Sequence, residues 1–192
     1  MLAVLILTAY TLTEKQDKGK TLLKKAAKNI RQILSDPYIS KIKLLARKLS
    51  KSEHIYIIGR GLSYTAALEA SLKIKEATYI HAEAFPGGEL KHGVIALIEK
   101  GTPCIVFAQN DETYYDILSN AQEIKARGGY IIGVGPKNND TFDEFLGTDD
   151  VEEATLLPQV VVSHLLGYYL SLACGNKDPD KPRNLAKSVT VK

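Results

Sequence analysis

The chain has 192 residues, of which 45% are apolar and 24% are charged, and its formal net charge is +3. These values are those of an ordinary soluble globular protein, and the length fits one domain with a substantial buried core. Cys104 and Cys174 both lie in apolar segments, which excludes a disulfide framework and indicates core thiols in a reducing compartment. We therefore expect a cytoplasmic protein.

The first twelve residues form an apolar segment. It lacks the basic start and the small-residue cleavage site of a signal peptide. At about twelve residues it is also too short to span a bilayer, which takes roughly twenty. We expect a core helix that begins abruptly at Met1, in a chain cut from something longer, and no membrane partner.

The positive charge is concentrated in residues 14–51, which hold twelve Lys or Arg and three Asp or Glu. Such a block can form a nucleic-acid-binding surface. Apolar residues nevertheless recur through it at helical spacing, first over 22–34 and then over 39–49, with Asp36-Pro37 between the two runs. Two amphipathic helices with solvated lysines explain the block better, and we expect no nucleic-acid partner.

From residue 54 onwards, short apolar runs alternate with helical patterns. The predicted strands are 54–59, 78–82, 103–108 and 130–134. The predicted helices are 63–76, 112–127 and 156–173. This alternation predicts an α/β fold in which helices cover both faces of a parallel sheet. Ligands bind such sheets at the carboxyl ends of the strands, so the loops at those ends are candidate sites.

The first of these loops, Gly59-Arg-Gly-Leu-Ser-Tyr-Thr65, is a candidate phosphate-binding turn. Its small residues leave backbone N–H groups free at the start of the following helix, and Arg60 and Ser63 are its candidate substrate-binding side chains. The loop matches neither the dinucleotide fingerprint nor the P-loop. A simple strand–helix turn capped by Ser63 is equally consistent with these residues.

Glu69, Lys73 and Glu76 follow at i, i+4 and i+7, so they share one face of the next predicted helix. They could form a surface salt-bridge ladder that contributes a few tenths of a kcal/mol. They could instead place a carboxylate base beside a lysine. The spacing alone favours neither interpretation.

The histidines differ in their surroundings. His54 and His164 lie in apolar elements and are expected to be packed or hydrogen-bonded core residues. His92 follows a glycine-rich turn, where an imidazole can take part in proton transfer. Glu89 and His92 have the i, i+3 spacing of a metal pair, but a third and fourth ligand are missing. We expect no metal and no cofactor.

The C-terminal segment 181–192 would ordinarily be a frayed terminus. Its apolar residues indicate instead that it packs against the domain; they are Leu185, Ala186, Val189 and Val191. A tail that packs in this way could carry Lys187 into a cleft. A desolvated lysine amine is a candidate Schiff-base nucleophile.

Several segments, taken in order along the chain, resemble one enzyme family. They are Gly59-Arg-Gly61, Ala67–Glu76, Tyr79–Ala84, Gly88–Gly93 and Pro182–Val191. Together they strongly resemble the C-terminal part of the glucosamine-6-phosphate synthases, which are glutamine:fructose-6-phosphate amidotransferases. The resemblance covers nearly the whole chain. It implies a SIS (sugar isomerase) domain, a flavodoxin- or Rossmann-like three-layer α/β/α sandwich with a parallel sheet, preceded here by N-terminal helices.

The resemblance also implies roles for individual residues. Lys187 matches the lysine that forms a Schiff base with the C2 carbonyl of open-chain fructose 6-phosphate, and Glu76 matches the glutamate that moves a proton between C1 and C2. Lys73 matches a lysine near that glutamate, and Ala186 matches a residue whose backbone contacts the sugar. His92 matches a histidine that a neighbouring subunit supplies for ring opening, which implies a homodimer.

The resemblance reaches only one part of the family enzyme. The glutaminase domain with its N-terminal cysteine, and the first SIS half that holds the sugar phosphate, have no counterpart in this sequence. We expect 1–50 to be helices that link to such a half, 51–177 to be the SIS domain, and 178–192 to be the tail that carries Lys187. Alone, the chain should have little activity. A stand-alone phosphosugar isomerase or deglycase and a non-catalytic sugar-phosphate-binding module stay open as alternatives.

Overall fold

A computed structural model describes residues 1–176 and 178–184. The helices are α1 Leu2–Leu12, α2 Gln16–Ile33, α3 Asp36–Leu49, α4 Leu62–Thr78, α5 Tyr114–Lys125 and α6 Leu156–Ala173. The strands are β1 His54–Gly59, β2 His81–Pro86, β3 Pro103–Phe107, β4 Tyr130–Gly135 and β5 Glu144–Gly147. Short 3-10 turns occur at Gly87–Glu89, Val94–Leu97 and Glu152–Ala154.

The five strands form one parallel sheet in the order β2-β1-β3-β4-β5. This is the flavodoxin-like order, in which the strand order reverses between β1 and β3. Every strand-to-strand connection therefore returns over a face of the sheet, as parallel pairing requires. The predicted parallel α/β sheet is confirmed.

Helices cover both faces of the sheet, because successive residues of its buried strands point to opposite sides. Ile55 and Ile57 of β1 pack in one core cluster with residues of α3, α4 and α6. Tyr56 and Ile58 pack in a second cluster with α5 and the segment 90–98. The three-layer arrangement is therefore confirmed.

The basic block forms α2 and α3, as predicted. Both helices are amphipathic: α3 contributes Ile42, Leu45 and Leu49 to the main core, while its lysines are exposed. The charge of residues 14–51 thus belongs to the solvated faces of two helices that pack against the domain.

The prediction of a core helix at the N-terminus is wrong. α1 is helical, but none of its residues is buried, and Val4 is 62% exposed. Only Ile6 and Tyr10 pack against a small cluster around Leu22. The apolar composition predicted a buried helix, but in the described residues α1 packs mainly against α2 and stays largely exposed.

The predicted strand 78–82 is wrong in its bounds. α4 continues to Thr78, whose hydroxyl donates to the Ile74 carbonyl and accepts the Ile80 N–H. Tyr79 then ends the helix in the left-handed region at φ 67°. The strand begins only at His81. Strand β5 was not predicted, because its four residues carry too short an apolar pattern.

The stretch Glu152–Ala173 is long and apolar enough to cross a membrane by length and composition. Within the molecule, 44% of its apolar window is buried. Val162, Leu166 and Leu170 lie in the main core, which is the pattern of a central helix in a globular domain.

Candidate active site

The helix α4 brings three charged side chains together on one face, as their spacing predicts. Lys73 Nζ lies 3.0 Å from Glu76 Oε2 and 3.9 Å from Glu69 Oε1. All three side chains are partly exposed, between 30% and 40%. The lysine thus pairs with both carboxylates, while their partial exposure leaves the carboxylates accessible from solvent.

Lys73 and Glu76 line an open groove of about 430 Å³ between α4 and α6. Gly167 of α6 allows the close approach, since a Cβ atom there would lie 3.2 Å from Lys73 Cβ. His164, one turn earlier on α6, also lines the groove, and its Nε2 lies 2.7 Å from Glu69 Oε1. His54 and His164 are both exposed and hydrogen-bonded, so the prediction that they lie in the core is wrong, although that of hydrogen bonding is confirmed.

The last turn of α4 is fixed by the segment that follows α6. The Ala77 carbonyl accepts hydrogen bonds from Ser171 Oγ at 2.6 Å and Asn176 Nδ2 at 2.7 Å. The Arg183 N–H donates to the Tyr79 hydroxyl at 2.9 Å, and its guanidinium carbon lies 4.0 Å from the centre of the Tyr79 ring. The start of the C-terminal segment is thereby held beside Glu76.

The groove therefore has a wall formed by the C-terminal segment. Pro179, Asp180 and Pro182 line it together with Lys73 and Glu76. Lys187 and Ala186, the predicted nucleophile and sugar contact, lie outside the described residues.

Arg60 and Ser63 lie at a different place, the carboxyl edge of the sheet where β1 meets α4. Arg60 donates from Nε and Nη2 to Asn120 Oδ1, at 3.1 Å each, and its Nη1 lies 3.5 Å from Asp116. Gly87 makes room for this contact, since a Cβ atom there would lie 2.5 Å from Asn120 Oδ1.

Ser63 is buried inside the first turn of α4 and does not cap the helix, contrary to one interpretation of the sequence; Gly61 is the N-cap. The Ser63 hydroxyl accepts a hydrogen bond from Gln159 Nε2 at 2.9 Å. The partners Asn120 and Gln159 were missed from sequence. Their only signal is that each is a polar residue at a core position of an otherwise apolar helical pattern.

Further along the same edge, a groove of about 610 Å³ is lined by amides, hydroxyls and carboxylates. The Thr155 hydroxyl donates to Gln109 Oε1, and Asn110 Nδ2 donates to Asp150 Oδ2 at 2.6 Å. At the rim, the pKa of Glu153 lies below its usual value, because its own backbone N–H and the Tyr10 hydroxyl donate to the carboxylate.

His92 lies far from Glu76 in the fold. Its loop packs through Leu90 in the second core cluster, and Lys91 pairs with Glu123 of α5 at 2.8 Å. Glu76 faces the groove on the α4 and α6 side. His92 Nδ1 lies 2.9 Å from Glu89 Oε2, both side chains are exposed, and the next residue, Gly93, has φ 127°. One chain therefore does not bring His92 and Glu76 together.

The fold and the strand order define an open, doubly wound parallel α/β domain. The family model described as the SIS domain matches residues 48–145, about half of the chain, and the chain belongs to this family.

Among curated proteins, the chain is 42% identical over 174 residues to glutamine–fructose-6-phosphate aminotransferase [isomerizing] of Caldanaerobacter subterraneus. It is 46% identical over 154 residues to the protein of the same name from Pyrococcus horikoshii. These alignments cover 88% and 79% of the chain, but only 28% and 26% of the relatives. The chain thus spans about a quarter of their length.

Solved structures agree with this placement. The C-terminal domain of glucosamine-fructose-6-phosphate aminotransferase from Francisella tularensis aligns with a TM-score of 0.70 and 33% identity, over 84% of this chain and 45% of that one. A tagatose-6-phosphate ketose/aldose isomerase from Clostridium novyi, described as putative, aligns over 97% of this chain with a TM-score of 0.74 and 16% identity, which shows the fold alone.

Proposed function

We propose that the chain is the C-terminal isomerase part of a glutamine–fructose-6-phosphate aminotransferase. In this role it contributes to the conversion of fructose 6-phosphate and glutamine-derived ammonia to glucosamine 6-phosphate. The similarity to curated aminotransferases over most of the chain supports this assignment. Because the chain covers about a quarter of those proteins, we infer that the sugar-phosphate grip and the ammonia supply come from other parts.

The observation that carries the proposal is the convergence of α4 and the C-terminal segment. Glu76 and Lys73 form an ion pair in a groove that Pro179, Asp180 and Pro182 also line. Arg183 is docked on Tyr79, three residues after Glu76. Lys187 follows Arg183 by four residues, and a chain of four residues spans at most about 14 Å. The covalent chain therefore allows Lys187 to reach the groove.

The chemistry that we assign to this groove is proton transfer next to an imine. The Lys187 amine attacks the C2 carbonyl of open-chain fructose 6-phosphate and water leaves, which acidifies the hydrogen on C1. Ammonia then displaces the Lys187 amine from C2, which frees the lysine and leaves the ammonia nitrogen in the C2 imine. Glu76 accepts a proton from C1 of this imine and returns it at C2, so both the lysine and the carboxylate end the cycle unchanged. Lys73 holds the Glu76 carboxylate in position through their ion pair.

The remaining site residues have supporting roles in this proposal. The Ala186 backbone contacts the sugar, whereas Arg60 and Ser63 lie at the carboxyl edge of the sheet, away from Glu76. Since both of those side chains are already hydrogen-bonded within the chain, their part is to hold the loop rather than to grip the phosphate. His92 opens the sugar ring in the site of a neighbouring subunit, so the working protein is a homodimer, in the cytoplasm.

Borohydride trapping tests the imine. The chain is assembled with its preceding SIS half, incubated with fructose 6-phosphate and reduced, and its mass is measured. The parent should gain one reduced phosphosugar, and Lys187→Arg should gain none, because a guanidinium does not form the imine. The matched control is Lys181→Arg in the same segment, an exposed lysine paired with Asp178, which should be trapped like the parent.

If Lys187→Arg is still labelled, the nucleophile is assigned wrongly. If neither protein is labelled although both bind fructose 6-phosphate equally well, the chain is a sugar-phosphate-binding module and the isomerase proposal fails.

A further inference from the structure

Two histidines stand side by side at the amino-terminal edge of the sheet. His54 and His81 are the first residues of β1 and β2 and are register partners in the parallel pair. Their Nδ1 atoms are 3.3 Å apart, and their rings meet edge to face with centroids 5.3 Å apart. Both side chains are exposed. The backbone of two paired strands thus fixes the spacing of two accessible imidazoles.

That spacing matches two ligands of one metal ion. Zinc–imidazole bonds are about 2.0–2.1 Å long, and two such bonds at a tetrahedral angle place their nitrogens roughly 3.3–3.4 Å apart. We propose that His54 and His81 form a two-imidazole binding site for a borderline first-row divalent ion such as Zn²⁺. The site shares no residue with the groove of Glu76 and does not depend on the sugar reaction.

The surroundings allow an ion to enter and to complete its coordination. The two histidines lie in an open cavity of about 720 Å³, which Glu53 and Glu99 also line. Lys51 and Lys100 line the same cavity and offset the charge of these carboxylates. Among residues 1–176 and 178–184, no group of three metal-binding side chains occurs. Water molecules would therefore fill the remaining positions, as they do in open zinc sites.

A direct hydrogen bond between the rings is the competing explanation of the same distance. It needs one ring to donate and the other to accept, which neutral imidazoles can do. Such a bond between exposed side chains gains little over bonds to water. The two explanations differ in one property: only the metal site makes affinity for a divalent ion depend on both histidines.

Isothermal titration of the full chain with ZnCl₂, in a buffer without chelating groups, tests the proposal. We expect one ion per chain. Loss of an outer-shell partner alone commonly costs 10- to 100-fold in metal affinity, so His54→Gln and His81→Gln should each weaken binding at least about tenfold. The control His164→Gln removes another exposed histidine that is already paired with a carboxylate, and it should bind like the parent.

Thermal unfolding without metal shows whether the variants fold, which we expect because both side chains are exposed. The copper signal in electron paramagnetic resonance gives a second readout: Cu²⁺ bound to the parent should show two imidazole nitrogens, and each variant should show one. The proposal is overturned if Zn²⁺ does not bind the parent up to about 1 mM. It is equally overturned if binding survives unchanged in both His54→Gln and His81→Gln.

Discussion

The carboxyl edge of the sheet and the groove between α4 and α6 use polar side chains in opposite ways. At the edge, Arg60, Ser63 and Gln109 are each hydrogen-bonded to a partner from α5 or from α6 and its start. In the groove, Lys73 and Glu76 pair with each other and remain partly open to solvent. The polar groups at the edge therefore hold neighbouring elements of the fold together, whereas those in the groove remain accessible for chemistry.

The topology of the sheet and the placement of the charged side chains therefore indicate different locations for the active site. In open parallel α/β sheets, ligands bind at the carboxyl edge. In this chain, Glu76 lies 14 residues after the start of α4, and a helix rises about 1.5 Å per residue, so the carboxylate is roughly 21 Å along the helix from that edge. The topology predicts an active site at the carboxyl edge, whereas the charged side chains indicate one on the side of α4. Stability and chemistry should respond to different substitutions in these two regions.

Of the substitutions that compare the two regions, the one at Gly59, on the edge, should change stability most. A Cβ atom there would lie 2.6 Å from the Ser63 carbonyl oxygen and 2.8 Å from the Tyr64 nitrogen, which are backbone atoms of α4. We expect Gly59→Ala to lower the free energy of unfolding by about 3 kcal/mol or more, because β1 and α4 must separate. Urea denaturation measures this change.

The matched substitution in the groove is Gly167→Ala. The new methyl group would lie 3.2 Å from Lys73 Cβ, a contact that a shift of a few tenths of an ångström between the helices relieves, and alanine favours the helix by about 1 kcal/mol. The free energy of unfolding should change by less than about 1 kcal/mol. Equal losses in the two variants would show that the groove is as tightly packed as the edge.

The next effect concerns the buried amide of Asn120. Asn120→Ala removes the acceptor of two Arg60 hydrogen bonds and leaves a largely buried guanidinium with only the long contact to Asp116. We expect a loss of about 1–3 kcal/mol in the free energy of unfolding. Glu76→Gln, which removes a charge from a partly exposed pair, should cost less than about 1 kcal/mol. If Glu76→Gln destabilises the chain as much as Asn120→Ala does, the polar groups of the two regions do not differ in their contribution to stability.

A smaller effect on stability is expected at Asp143, which lies outside both regions. Burial by itself raises the pKa of Asp143, but the Lys125 ammonium and the Ile131 N–H outweigh it, so the pKa lies below its usual value. A lowered pKa in the folded state stabilises the fold above the unfolded value of about 3.9, and this contribution is lost as the pH falls through the folded value.

We therefore expect Asp143→Asn to cost about 1 kcal/mol near pH 7, since an amide still accepts the Ile131 N–H but no longer attracts Lys125. The difference from the parent should shrink as the pH falls below about 4. Urea denaturation at several pH values measures it. A difference that is constant across this range would mean that the charge of Asp143 does not stabilise the fold.

Patterns within short stretches of sequence predicted the buried strands and the charged face of α4. The apolar runs before Gly59 and around Ile105 indicated buried strands, and the i, i+4, i+7 spacing indicated the shared face of Glu69, Lys73 and Glu76. The boundary at Thr78 was missed because a side-chain hydrogen bond prolongs α4. The exposure of α1 could not be predicted, since apolar residues show that a helix packs but not what it packs against.

The site was only partly predictable for a related reason. Partners of the candidate residues lie far along the chain: Asn120 is 60 residues from Arg60, and Gln159 is 96 residues from Ser63. No local spacing encodes such pairs. The position of Arg183 on Tyr79, which holds the C-terminal segment beside the groove, is likewise a tertiary contact across 104 residues. The sequence indicates which residues have useful chemistry, and the tertiary structure shows which of them lie close together.

The most direct test of the account compares two carboxylates that each pair with a cation, one in each region. In the chain assembled with the first SIS half that the proposed function requires, the turnover of fructose 6-phosphate is measured for Glu76→Gln in the groove and Asp116→Asn at the edge. Loss of a general base commonly costs 10²–10⁴-fold, so Glu76→Gln should lower kcat by at least about 100-fold, while Asp116→Asn should leave it near the parental value. If Glu76→Gln retains kcat and Asp116→Asn loses it, the chemistry lies at the carboxyl edge and the assignment of the groove is wrong.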